Sequence, residues 1–118
     1  YKIIGICMEI HKILGRGFLE IVYKDALEYE LICNHIPFER EKKYTIQYKD
    51  KVLPHYFYAD FVVYDSIILE VKAQRSIIND HYRWIINYLA ISKCPLGLLI
   101  NFGGNSLNYR RVALNSEL

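Results

Sequence analysis

The feature that most constrains the fold is the segment 56–72, in which two runs of β-branched and aromatic residues flank a short polar turn near Asp65. This pattern predicts a β-hairpin. Asp60 lies in the first run and Glu70 in the second, each among apolar neighbours. Burying a carboxylate in such surroundings is unfavourable unless the group is paired or binds a metal ion. The segment is therefore a candidate functional site as well as a hairpin.

Strand geometry makes this hypothesis testable. Side chains alternate between the two faces of a strand, so Glu70 and Lys72 share a face. A two-residue loop would place Asp60 and Glu70 on opposite faces of the sheet, whereas a three-residue loop from Tyr64 to Ser66 would place them opposite each other. If the two acids form one site, the loop must have an odd length or the ladder must contain a bulge. We predict that it does.

Length and composition bound the class of protein. The 118 residues suit a single domain over residues 1–118, and a net charge of +2 does not by itself indicate nucleic-acid binding. Cys7, Cys33 and Cys94 are odd in number and lack metal-ligand spacing, which predicts free thiols and a reducing, cytoplasmic location. No apolar run is long enough to predict a membrane span.

The remaining pattern predicts an α/β fold with helices against a mixed sheet. Helical periodicity covers residues 2–14, about 19–34, and 77–91, and strand patterns cover 38–48, the two arms of the hairpin, and 96–101. Residues 107–114 are a candidate edge strand. Pro54 indicates either an edge position or a strand that begins only after it. The predicted element order is ααβββαβ.

Residues 17–23, Gly-Phe-Leu-Glu-Ile-Val-Tyr, match the signature G-x-x-E-x-x-Y. The chain thereby resembles the GxxExxY family, and the resemblance extends through the residues around Ile3-Ile4-Gly5, His11 to Gly15, and Leu98 to Phe102. It implies a restriction-endonuclease-like core of the PD-(D/E)xK nuclease-like superfamily, with Asp60, Glu70 and Lys72 at the motif position of that superfamily.

The resemblance implies a metal-dependent nuclease that hydrolyses phosphodiester bonds, with DNA as the expected substrate. Mg²⁺ or Mn²⁺ would be held by Asp60, Glu70, the carbonyl of Val71 and Glu20, because hard cations prefer oxygen ligands. Lys72 would orient or deprotonate the attacking water, or stabilise the charge on the phosphate.

Two further residues are candidates for substrate binding, Tyr23 one turn after Glu20, and His81 in the third helix. Each has a simpler interpretation: Tyr23 as a core residue, and His81 as a surface or hydrogen-bonded helix residue. Trp84 stands where the family commonly has Gln, and Tyr58 stands where many members have Arg. The sequence predicts that Trp84 belongs to the core.

Three alternatives to an active nuclease stay open. Asp60, Glu70 and Lys72 would be ordinary solvent-facing charges if the strand lay at an edge. The chain would be a catalytically inactive nuclease fold that serves as a nucleic-acid or protein interaction module if the departures at Trp84 and Tyr58 removed catalysis. It would form a homo-oligomer if the aromatic surface implied by 11 Tyr served assembly.

Overall fold

The computed structural model describes residues 2–76 and 79–114. It contains three helices and five strands in the order ααβββαββ. The predicted third helix included residues 77 and 78, which lie outside the described residues. The bounds are α1 Lys2–Leu14, α2 Glu20–Cys33, β1 Phe38–Tyr48, β2 Lys51–Val63, β3 Ile67–Lys72, α3 Asn79–Ser92, β4 Leu96–Asn101 and β5 Asn108–Val112.

The five strands form one mixed sheet in the order β1-β2-β3-β4-β5. Helix α3 connects β3 to β4, which are parallel, while the other three neighbouring pairs are antiparallel. A parallel pair needs such a crossover connection, because a tight turn reverses the direction of the chain and can therefore join only antiparallel strands. The predicted α/β, restriction-endonuclease-like architecture is confirmed, and residues 108–112 form the predicted additional edge strand.

The β2–β3 connection has the predicted odd length. Val63 pairs with Ile67, so three residues lie between the strands. Tyr64 and Asp65 both have positive φ, 54° and 55°, and the Ser66 N–H donates to the Val63 carbonyl at 3.0 Å. These values describe a type I′ turn followed by one extra residue. The extra residue sets the register that brings the two acids opposite each other.

Each face of the sheet carries its own core. The α1–α2 core packs both N-terminal helices on one face, and the α3 core packs the third helix on the other. The α1–α2 core comprises Ile3, Ile6, Cys7, Ile10, Tyr23, Leu27, Leu31, Ile36, Phe61, Val63, Leu69, Val71, Leu98, Ile100 and Phe102. The α3 core comprises Ala59, Val62, Ile68, Ile85, Leu89, Cys94, Leu99 and Val112.

Strand β2 changes the face that it presents close to Asp60. Ala59 belongs to the α3 core, but Phe61, two residues on, belongs to the α1–α2 core. In a regular strand these two side chains would share a face. On the neighbouring strand, Glu41 has φ 54°, which interrupts the regular pleat at the level of Asp60. Simple alternation therefore does not hold through this part of β2, and Tyr58 is 47% exposed.

Beyond this point β1 and β2 continue as a two-stranded ribbon. Strand β3 pairs with β2 only over residues 61–63, so the earlier part of β2 has a neighbour on one side only. Pro54 lies in this part, where the register with β1 shifts between Thr45 and Gln47. The strand begins before Pro54, at Lys51, and an edge position accommodates the missing N–H. None of the described helices is long and apolar enough to cross a membrane.

Candidate active site

The hairpin brings the two predicted acids together at the end of the β2–β3 pairing. Phe61 pairs with Leu69, and one further step of this register places Asp60 opposite Glu70. The Val71 N–H donates to Asp60 Oδ2 at 2.8 Å. The Asp60 N–H approaches Glu70 Oε1 at 3.5 Å, the long limit for a hydrogen bond. Backbone groups thus fix both carboxylates at one point of the sheet.

Glu70 is a buried acid whose charge is poorly compensated. Its side chain faces the α3 side of the sheet and the residue is 7% exposed. Burial, and to a smaller extent the neighbouring Asp60 carboxylate, together raise the pKa of the Glu70 carboxyl to about 9, while Lys72 opposes them. Two adjacent carboxyl groups away from water favour a shared proton or a cation. The donor set therefore suits a hard divalent ion.

Lys24 of α2 is the neighbour of Asp60 that the sequence did not indicate. Its Nζ donates to Asp60 Oδ1 at 3.0 Å and also to Glu41 Oε1. Burial alone would lower the pKa of the Lys24 ammonium, but the hydrogen bonds and charges of Glu41 and Asp60 outweigh it and raise the pKa. A signal existed in the sequence, since Lys24 follows Glu20 by one turn on the same side of the helix.

Lys72 is the third motif residue, and its contacts come from α3. Its Nζ lies 5.8 Å from the centre of the Trp84 ring, and this ring meets His81 edge to face at 5.3 Å. Trp84 is 46% exposed, so the prediction that it belongs to the core is wrong. The helix turns the adjacent Ile85 inward instead, and Ile85 is fully buried.

His81 lies at the beginning of α3 and is 4% exposed, which excludes the surface interpretation. Burial lowers the pKa of its imidazole, and the charge of Lys72 lowers it as well, whereas Asp80 and Glu20 act in the opposite direction. His81 is therefore close enough to Lys72 and Glu20 to feel their charges. Its position is beside the motif lysine.

Tyr88 is a second residue that the sequence did not single out as part of the site. Its ring stacks on Phe57 with centroids 4.1 Å apart. Burial raises the pKa of the Tyr88 phenol, and the charges of Glu70 and Asp60 raise it further. His81, Trp84 and Tyr88 recur at helical spacing, so one stripe of α3 lies along the carboxylate pair and Lys72.

Tyr23, the second predicted substrate-binding residue, lies in the α1–α2 core. It is fully buried and stacks on Phe102 at 4.6 Å. Its hydroxyl donates to the Gly15 carbonyl at 2.6 Å and accepts from the Phe18 N–H at 3.3 Å. These contacts fix the loop that leads into α2, and they agree with the core interpretation of Tyr23.

Glu20 is the first residue of α2 and is half-buried. Among residues 2–76 and 79–114, no three His, Cys, Asp or Glu side chains lie close enough together to bind one metal ion. Glu20 is therefore not gathered with Asp60 and Glu70 into a three-acid cluster. Its role as a fourth metal ligand therefore stays a prediction.

The chain after Lys72 is held by the end of β4. The Asn101 side chain accepts from the Gln74 N–H at 2.9 Å and donates to the Gln74 carbonyl at 2.8 Å. The Phe102 N–H donates to the Lys72 carbonyl at 2.8 Å. A Cβ atom at Gly103 would lie 2.2 Å from the Gln74 carbonyl oxygen, so only glycine fits there. Residues 101–103 thus fix the backbone that carries Lys72.

Comparison with known proteins gives one family and one fold. A family model described as the PD-(D/E)XK nuclease superfamily matches residues 1–112. The crystal structure of SSO0001 resembles this chain with a TM-score of 0.64 and 22% sequence identity, which is evidence for the fold alone. The match covers 78% of this chain and 48% of SSO0001, so the chain spans about half the length of that protein. No curated protein matches the sequence.

Proposed function

Because this chain belongs to the PD-(D/E)XK nuclease superfamily, we propose that it is a metal-dependent nuclease that hydrolyses phosphodiester bonds of DNA. The observation that supports this proposal best is the Asp60–Glu70 pair, in which a buried and a half-buried carboxyl meet at one point of the sheet, with Lys72 two residues after Glu70 on β3. A buried acid beside a second carboxylate lowers stability unless it is protonated, paired or binds an ion, so its presence favours a function for the pair rather than a role in stability.

Asp60, Glu70 and the Val71 carbonyl are the residues that would hold Mg²⁺ or Mn²⁺, with Glu20 as a proposed additional ligand. When bound, such an ion makes water more acidic and neutralises charge on the phosphate. Lys72 orients the attacking water and offsets the charge that develops on the phosphoryl oxygens. His81, whose ring meets Trp84 edge to face beside Lys72, is the proposed additional substrate-binding residue.

We further assign the chain to the GxxExxY branch of the superfamily. The signature residues have definable tasks: Gly17 adopts φ 111°, which other residues avoid, and Tyr23 fixes the loop before α2. Cys7, Cys33 and Cys94 are all free thiols, which is consistent with activity in the reducing cytoplasm.

The proposal is tested by cleavage of supercoiled plasmid and of a single-stranded oligonucleotide with Mg²⁺ or Mn²⁺. Asp60→Asn and Lys72→Met should each lower the rate by at least about 100-fold. Lys12→Met, an exposed lysine of α1, is the matched control and should leave the rate unchanged. Cleavage that persists in both site variants would refute the assignment.

Binding of Mn²⁺, followed by calorimetry, gives a readout that does not depend on turnover. Glu70→Gln should weaken this binding by about tenfold or more, because it replaces a charged ligand by a neutral amide. The matched control is Glu9→Gln, an exposed position of α1. Equal affinities in both variants would show that the ion binds elsewhere.

One observation favours the second candidate function, a catalytically inactive interaction module. Lys24 already supplies a positive charge to Asp60, and the Val71 N–H binds the other carboxylate oxygen. A protein that binds single- or double-stranded DNA in EDTA and never cleaves it with Mg²⁺ or Mn²⁺ would support this module. The same assay therefore separates the two candidates.

A further inference from the structure

Trp84 combines three properties that its neighbours on α3 do not share. It is the only tryptophan of the chain, it is 46% exposed, and its ring lies 5.8 Å from the Nζ of Lys72. Single exposed apolar residues are common on protein surfaces and need no explanation by themselves. This one stands beside the motif lysine, on the stripe that lies along the carboxylate pair.

The ring is also held in a defined orientation. His81, which is buried, meets it edge to face at 5.3 Å, and the ammonium of Lys72 lies over it. Packing does not explain the size of this side chain, because the adjacent Ile85 fills the α3 core. A large flat ring is thus presented to solvent next to a positive charge.

This juxtaposition is the chemistry that recognises an unpaired nucleobase. The base stacks on the indole, and the phosphate attached to it is drawn to Lys72. In a duplex both faces of a base are already occupied by its neighbours, so a base must be unpaired or turned out before it can stack on protein.

We propose that Trp84 is the stacking platform for an unpaired base next to the phosphate held at Lys72, and that the chain consequently prefers single-stranded or frayed ends to intact duplex. This inference rests on the proposed function for the identity of the ligand. It adds that the substrate is single-stranded or frayed, and it assigns Trp84 as the residue that determines this preference.

The first experiment uses the fluorescence of the sole tryptophan. Wild-type protein in EDTA, which prevents cleavage, is titrated with a ten-nucleotide oligo-dT and separately with a blunt duplex of equal length. Stacking on the indole should quench the emission with oligo-dT at concentrations where the duplex leaves it unchanged. Binding of oligo-dT without any change in emission would overturn the proposal.

The second experiment measures affinity by the anisotropy of labelled oligo-dT. Trp84→Ala should weaken binding about 5- to 150-fold, as expected for the loss of one base–aromatic stack. Trp84→Phe should retain most of the affinity, because it keeps an aromatic face. Tyr29→Ala removes an aromatic ring that is 66% exposed on α2 and should leave the affinity unchanged.

The outcomes separate this inference from the proposed function. Metal-dependent cleavage with equal affinities of wild type and Trp84→Ala would overturn the stacking platform alone. Trp84-dependent binding without cleavage would keep the platform and remove the hydrolase. Absence of binding and of cleavage would overturn both, and would leave the exposed ring as a contact for a protein partner.

Discussion

The helices α2 and α3 cover opposite faces of the same sheet, but they are attached to it by different interactions. Charged side chains link α2 to the sheet: Lys24 binds Asp60 and Glu41, and Arg40 of β1 binds Asp25 and Glu28. The described charged pair of α3, Arg83 with Asp80, stays within the helix. Helix α3 contributes apolar packing and the stripe of His81, Trp84 and Tyr88.

The difference indicates how the two faces divide the work. The α1–α2 core is larger, and the helix over it is fixed by both apolar and ionic contacts. The α3 side carries the less stable elements, a buried acid of raised pKa and a half-exposed indole. Functional sites often contain groups that lower the stability of the fold, and the rest of the domain compensates for this loss.

The largest effect is expected from Phe102→Ala in the α1–α2 core. Phe102 is fully buried and stacks on Tyr23 of α2. Its truncation should lower the free energy of unfolding by about 3–5 kcal/mol, measured by urea denaturation. Phe18→Ala, at a 48% exposed position that also meets Tyr23, is the control and should cost less than about 1 kcal/mol. Equal losses in both variants would show that the α1–α2 core does not anchor the domain.

The next effect, on the α3 side, has the opposite sign. Because the folded protein raises the pKa of Glu70 from 4.5 to about 9, it holds this proton more tightly than the unfolded chain does. Stability must therefore fall as pH rises through this interval. In EDTA at pH 8, Glu70→Gln should raise the free energy of unfolding by roughly 1–3 kcal/mol, because the neutral amide avoids this loss.

The gain from Glu70→Gln should shrink towards zero as the pH approaches 4, where the carboxyl is protonated in both states. Urea denaturation at several pH values gives the curve, and Glu9→Gln supplies the flat control. If Glu70→Gln raised the free energy of unfolding equally at pH 4 and pH 8, the shape of the side chain, and not its charge, would determine how Glu70 affects stability.

These two regions also differ in how far the sequence predicted them. The pairing of Asp60 with Glu70 was predicted from strand alternation on the assumption that the two acids form one site, and the odd loop length followed from that assumption within segment 56–72. The positions of α2 and α3 on the two faces of the sheet depend on packing between distant segments. The ion pair of Lys24 with Asp60 and the exposure of Trp84 arise from that packing, so periodicity alone did not reveal them. The left-handed backbone conformation at Glu41 was not predicted either, because this position is not occupied by glycine.

The family resemblance predicted the motif residues on the sheet, yet it assigned Glu20 to the site and passed over Lys24, one turn later on the same helix. Spacing within α2 allows either residue to face the sheet. The longer lysine side chain reaches Asp60 and Glu41, while Glu20 stays at the helix start. In this chain the motif indicated the helix that serves the site, but not the side chain that reaches Asp60.

A smaller effect is expected from removing the ionic link between α2 and Asp60. In Lys24→Met the ammonium no longer competes for Asp60 Oδ1, so Mn²⁺ should bind about 3- to 10-fold more tightly by calorimetry. Lys12→Met, which removes an exposed lysine of α1, should leave the affinity unchanged. Weaker binding in Lys24→Met would mean instead that Lys24 holds Asp60 in the position that the ion requires.

The smallest effect is expected from Arg83→Ala, which removes the charged pair of α3. Arg83 and Asp80 are 74% and 55% exposed, and the pair spans a single turn. Water screens such a pair, so the free energy of unfolding should change by less than about 0.5 kcal/mol, again by urea denaturation. Arg40→Ala should cost more, because the Arg40 side chain is 17% exposed and joins β1 to two acids of α2. If Arg83→Ala cost as much as Arg40→Ala, α3 would be held by charge as α2 is, and the contrast between the two faces would not stand.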